Sequence, residues 1–210
     1  MKNRQARPTS LEIELKPGSH ASLLYTEPGI PAVALDYLAE GIRGGAVSAF
    51  LGYGRLNERV AAQLRDLYSI DLRSVQAEGR LVFLSGRENA RLMRADLTKT
   101  FSKGKRSRKA GRLLVSLGWE EAGWPDDSEL LQFDSKLSET CGELGLSALC
   151  LYDARQLNGS LLFQGGLECH PTVFARCMHH KNPFFVEPAL LQKELGARRR
   201  DESRLRAWMS

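Results

Sequence analysis

With 210 residues, 42% of them hydrophobic and 26% charged, the chain has ordinary globular composition and enough length for one domain with a sizeable core. No segment reaches the roughly 18 apolar residues of a membrane span. Met1 to Ser10 is polar and basic, without the apolar run of a signal peptide, so a soluble, cytoplasmic protein with no membrane association is expected.

Ala21–Tyr25 reads as a short buried strand and Pro31–Arg43 as an amphipathic helix carrying Val33, Tyr37, Leu38 and Ile42, stopped by Gly44-Gly45. The connection, Thr26-Glu-Pro-Gly-Ile30, lacks the Gly-Lys-Ser/Thr that would close a phosphate cradle. Ala46–Leu51 is the second strand, followed by a helix on Val60, Leu64 and Leu67. Arg80–Leu84 is the third strand, and Glu88–Arg112 is expected to be mainly helical, above all in its first half. Leu113–Leu117 is the fourth strand. Asp126-Asp127-Ser128 then reads as the N-cap of a helix on Leu130, Phe133, Leu137 and Cys141. Ser147–Tyr152 is the fifth strand, Arg155–Leu167 a less regular helix and Thr172–Ala175 the sixth strand. After Pro188, Ala189–Trp208 reads as an Arg- and Glu-rich helical tail that packs on the body or on a second copy as a homodimer.

Strand–helix alternation of this kind predicts an α/β fold, with a mostly parallel sheet flanked by helices on both faces. No internal repeat or linker is evident. The division expected is an extension over 1–17, one domain over 18–188 and a tail over 189–210.

Open parallel sheets bind ligands beyond the carboxyl ends of their strands. That rule selects Tyr25 and Glu27, Tyr53 between Gly52 and Gly54, Arg87 after Ser85-Gly86, Trp119, Tyr152 and Asp153 as candidate ligand contacts. An aromatic rim with a few charges suits a small-molecule pocket.

Catalytic signatures are lacking. There is no Gly-x-Ser-x-Gly elbow and no His-Glu-x-x-His. His20 begins the first strand and His170 precedes the sixth, which puts both at the amino end of the sheet, where a structural role is expected. Of the cysteines, Cys141, Cys150, Cys169 and Cys177, none forms a Cys-x-x-Cys pair, and buried reduced thiols are expected. Cys169-His170, Cys177 and His179-His180 fit no standard zinc spacing, so neither a metal nor a cofactor is expected.

The net charge of +5 is unevenly spread. Lys99, Lys103, Lys105, Arg106, Arg108, Lys109 and Arg112 crowd one stretch and Arg198-Arg-Arg200 another. Lys103, Lys105, Arg106, Arg108 and Lys109 are the candidates for contact with nucleic acid or another anion, although a solvated basic loop is the simpler reading and the one expected.

The ordered set of segments resembles the MEDS domain, a sensory domain of methanogens, methylotrophs and the regulator of dichloromethane dehalogenase, related to RecA/KaiC-like ATPases. The matching pieces are His20-Ala-Ser-Leu-Leu-Tyr25, Leu38-Ala-Glu-Gly-Ile42 with its Gly turn, Gly118-Trp119, Leu131-Gln-Phe-Asp134, Leu149-Cys-Leu-Tyr-Asp153, His170-Pro171 and Asn182-Pro-Phe-Phe185, spanning Gly18 to Pro188. Order and spacing carry the resemblance, since no single piece is specific. Two departures stand out: Leu117-Gly118 where family members often carry an acidic residue, and the compressed, basic stretch from Lys99 to Arg112.

The resemblance implies a non-enzymatic sensory or regulatory module that binds a small molecule and signals through a protein partner. A degenerate RecA-like nucleotide binder with weak or no ATPase activity, and a nucleic-acid-associated protein using residues 99–112, are the alternatives.

Overall fold

A computed structural model describes residues 13–103, 109–117, 126–175 and 178–209. Seven strands form one sheet: β1 His20–Tyr25, β2 Ser48–Gly52, β3 Leu81–Ser85, β4 Gly111–Leu117, β5 Leu146–Asp153, β6 Thr172–Ala175 and β7 Met178–Lys181, in the spatial order β3-β2-β4-β5-β1-β6-β7. Every neighbouring pair from β3 across to β6 is parallel, and only β7 runs antiparallel, against β6. The expected α/β class is therefore observed.

The helices are α1 Ala32–Arg43, α2 Gly54–Tyr68, α3 Leu72–Ala77, α4 Ala90–Lys103, α5 Asp127–Ser135, α6 Leu137–Leu144 and α7 Pro188–Met209, with a π-helix over Leu161–Glu168. Pro31 caps the start of α1 with φ −57°, already near the helical value, and Gly45 takes the left-handed φ of +80° just past its end. In α2 the buried residues Leu56, Val60, Leu64 and Tyr68 recur every fourth position and so make one stripe toward the sheet. The Asp126 side chain accepts from the Glu129 N–H at 2.9 Å, the N-cap that its sequence context predicts. The single helix expected through Cys141 is two, α5 and α6, joined at Lys136.

Strand alternation divides the core into two layers. Ala21 and Leu23 of β1, Phe50 of β2, Leu114 of β4, and Leu149 and Leu151 of β5 face α1, α2 and α3. Ala49 and Leu51, Leu113, Val115 and Leu117, and Ala148, Cys150 and Tyr152 face α4, α5, α6 and the π-helix. β5 is buried at all eight positions because it is a central strand covered on both faces. Ile13, within the expected extension, is buried in the first layer, so the packed domain begins before residue 18. The tail packs on the body through Leu191, which is buried, and Leu195, which lies against the second layer. Among the described residues no helix is long and apolar enough to cross a membrane.

Candidate functional site

Three of the side chains expected at the strand ends meet. Tyr25 at the end of β1, Tyr53 at the start of α2 and Asp153 at the end of β5 line one cavity of about 50 Å³ with Ser116, Arg59 and Gln156. Gly29 and Ile30 of the β1–α1 turn form part of its wall. Asp153 is clamped by Arg155: the guanidinium donates to both carboxylate oxygens, at 2.9 and 2.6 Å, and the Arg155 backbone N–H adds a third bond at 3.0 Å. Burial pushes the Asp153 carboxyl up, but these bonds outweigh it and hold it below the usual carboxylate range. Burial raises the Tyr25 hydroxyl, and the Asp153 charge raises it further, so the phenol stays protonated at neutral pH.

The turn above this cavity is a poor phosphate cradle. Pro28 and Pro31 have no N–H to offer, and the α1 cap makes no side-chain bond.

Other candidates lie elsewhere. Tyr152 is a correction: it sits one residue before Asp153, and strand alternation turns it to the opposite face, where it is buried among α5 and the π-helix. Arg87 is a second correction. It lines an open concavity of about 700 Å³ along β3, with Asp96, Lys99 and Thr100, and its Nε lies 3.6 Å from Asp96 Oδ2. β3 is an edge strand of the sheet, which carries Arg87 away from the central cleft. Glu27 is exposed and accepts from the Thr26 N–H at 3.2 Å, outside the cavity lining. Trp119, Lys105, Arg106 and Arg108 lie outside the described residues, as does the Lys103 side chain, while Lys109 is exposed. Arg112 of the basic stretch has a structural task. Its guanidinium donates to the Tyr37 carbonyl at 2.7 Å, pairs with Glu40 at 3.3 Å and lies over the Tyr37 ring.

A second polar centre is absent from the expected set. His20 from β1, Asp134 from α5, Cys150 from β5 and His170 before β6 converge in the second core layer, all four buried. His20 Nε2 lies 3.3 Å from Asp134 Oδ1 and 3.2 Å from Cys150 Sγ. Cys150 Sγ lies 3.6 Å from Asp134 Oδ1, and His170 Nε2 lies 3.5 Å from that same oxygen. The Tyr152 hydroxyl donates to Asp134 Oδ2. Burial alone would push the Asp134 carboxyl up, but attraction to His170 and the bonds from His20 and Tyr152 bring it below its ordinary value. Burial pushes His170 itself down to about 3, against the attraction of the Asp134 carboxylate.

His170 points into the core, His179 and His180 are exposed on β7, and Cys177 lies outside the described residues. Sequence reading passed over the buried centre because 130 residues separate His20 from Cys150. The available signal was polar residues at alternate positions of buried strands, His20-x-Ser22 and Cys150-x-Tyr152.

In comparisons with known proteins, no family model and no curated protein matches this chain.

Proposed function

We propose that this chain is a non-enzymatic regulatory domain of MEDS-like type, which takes up a small molecule at the carboxyl ends of β1, β4 and β5 and passes the signal to a protein partner. The observation that supports this reading is the convergence of Tyr25, Tyr53 and Asp153 with Ser116 on one polar cavity beneath the β1–α1 turn. Two phenols and an ionised carboxylate recognise a ligand with a hydrogen-bond donor and an apolar body.

About 50 Å³ is well below the roughly 300–1,000 Å³ of pockets for drug-sized ligands. An organic ligand therefore displaces the Gly29–Ile30 turn or Tyr53 as it enters, and preference for the opened form is what makes binding a signal. Hydrolysis is not part of this reading, since the turn carries neither the lysine nor the run of N–H groups that a nucleoside triphosphate needs.

The test is a thermal-shift screen of the full chain against small organic molecules and against ATP with Mg²⁺. A ligand of the native state raises the melting temperature by mass action. A shift with an organic molecule that Tyr53→Ala removes supports the proposal. Mg²⁺-dependent hydrolysis of ATP by the purified chain overturns it.

A further inference from the structure

We propose that His20 Nε2, Asp134 Oδ1, Cys150 Sγ and His170 Nε2 form a tetrahedral site for one zinc ion. This goes beyond the regulatory reading and does not depend on it, because the cleft and the buried centre share no residue.

His170 Nδ1 lies 2.8 Å from the Gly165 carbonyl oxygen, which can only accept, so Nδ1 carries the hydrogen. Nε2 is then the ring nitrogen left facing the centre. That atom is fully buried without a hydrogen-bond partner, and 3.5 Å away lies a carboxylate oxygen, Asp134 Oδ1. A cation between these two buried atoms is bound by both and gives the unpartnered nitrogen its partner.

The surrounding distances fit such a cation. Zinc binds nitrogen and oxygen at about 2.0–2.2 Å and thiolate at about 2.3 Å, which places tetrahedral ligand atoms roughly 3.3–3.6 Å from one another. The four measured separations are 3.2, 3.3, 3.5 and 3.6 Å, and one donor atom of each residue lies within 4.8 Å of all the others. The donor set of two imidazoles, one thiolate and one carboxylate suits a borderline-soft ion. Asp134 and a Cys150 thiolate supply two negative charges, so Zn²⁺ makes the buried centre neutral.

An outer layer orients the ligands. Gly165 holds the His170 ring, Ser138 Oγ lies 3.1 Å from His20 Nδ1, and Tyr152 binds the second Asp134 oxygen. On the Asp134–Tyr152 side, Leu117, Leu130, Leu131, Leu157 and Leu161 enclose a void of about 10 Å³, at the lower limit for a water. Four protein ligands with no room for a fifth make a structural site that ties β1, α5, β5 and the β6 approach together.

The test is metal analysis of the full chain, then titration of the chelator-treated chain with Co²⁺ as a spectroscopic stand-in for zinc. Expected are one zinc per chain and, with Co²⁺, tetrahedral ligand-field bands plus a sulfur-to-metal charge-transfer band. Cys150→Ser removes the charge-transfer band. His170→Gln weakens binding by more than the roughly 10–100-fold expected for the outer-layer change Ser138→Ala. His179→Ala with His180→Ala leaves binding unchanged. The wild-type titration needs no variant to fold. A natively folded chelator-treated chain that takes up neither Zn²⁺ nor Co²⁺ overturns the proposal, and so does uptake that survives both Cys150→Ser and His170→Gln. Neither readout involves the ligand cleft, so this site and the regulatory reading can fail separately.

Discussion

Gly165 lies flat against Tyr152: a Cβ at position 165 would meet the Tyr152 hydroxyl oxygen at 2.8 Å and its ring at 3.0 Å. The same glycine accepts from His170 Nδ1 while Tyr152 donates to Asp134, so one close approach sets the position of two partners of the buried polar centre.

Gly165→Ala pushes Tyr152 off the Asp134 carboxylate and shifts the carbonyl that orients His170. Overpacking in a filled core of this kind costs about 1–3 kcal/mol. Chemical denaturation is expected to show that loss, with a changed near-ultraviolet circular dichroism from the displaced tyrosine. An unchanged spectrum and midpoint would show that the π-helix yields instead.

Leu149 sits mid-strand in β5, fully buried, with β4 on one side and β1 on the other. Both neighbours are central strands, so little can collapse into the space a truncation leaves. Leu149→Ala is expected to cost about 2–5 kcal/mol in a urea melt. A loss under 1 kcal/mol would mean that the first core layer repacks freely.

Ser69 ends α2 in the left-handed region, at φ +54°, the one described non-glycine residue with positive φ. A side chain there costs about 1–2 kcal/mol, part of which glycine returns as unfolded-chain entropy. Ser69→Gly is expected to raise stability by up to about 1 kcal/mol, read as a higher melting temperature. A lower one would reveal a Ser69 contact worth more than the strain.

The Asp153–Arg155 clamp gives the fold an acid dependence. Because the folded carboxyl is held below its unfolded value of about 3.9, its stabilisation is fully present above that pH and is lost as the pH falls through the folded value. Asp153→Asn is therefore expected to lower the urea midpoint at pH 7, with the difference from wild type shrinking as the pH falls below about 3.9. A difference that does not shrink with acid would assign the effect to packing.

Six strands were legible in the sequence because each is a short apolar run closed by Gly, Asp or a charged residue, and Thr172–Ala175 coincides with β6 residue for residue. β7, Met-His-His-Lys, was not, since an exposed strand paired on one edge needs no apolar pattern. The break between α5 and α6 was hidden as well. Leu130, Phe133, Leu137 and Cys141 keep a helical spacing straight through Lys136, where the backbone changes course. The strand-end rule brought Tyr25, Tyr53 and Asp153 to one cavity, but failed for Tyr152, where one position along a strand decides the face.

By itself the sequence determined the layers: periodicities of 2 and 3.6 select strand and helix, and their alternation selects a parallel sheet covered on both sides. It also determined that the first turn has no phosphate-binding lysine. Only the tertiary structure decided that His20, Asp134, Cys150 and His170 share one buried centre. Strand order places β5 beside β1 and β1 beside β6, and that order follows from how the layers pack, which no local pattern encodes. Polar side chains distant along the chain meet because the apolar residues around them have to.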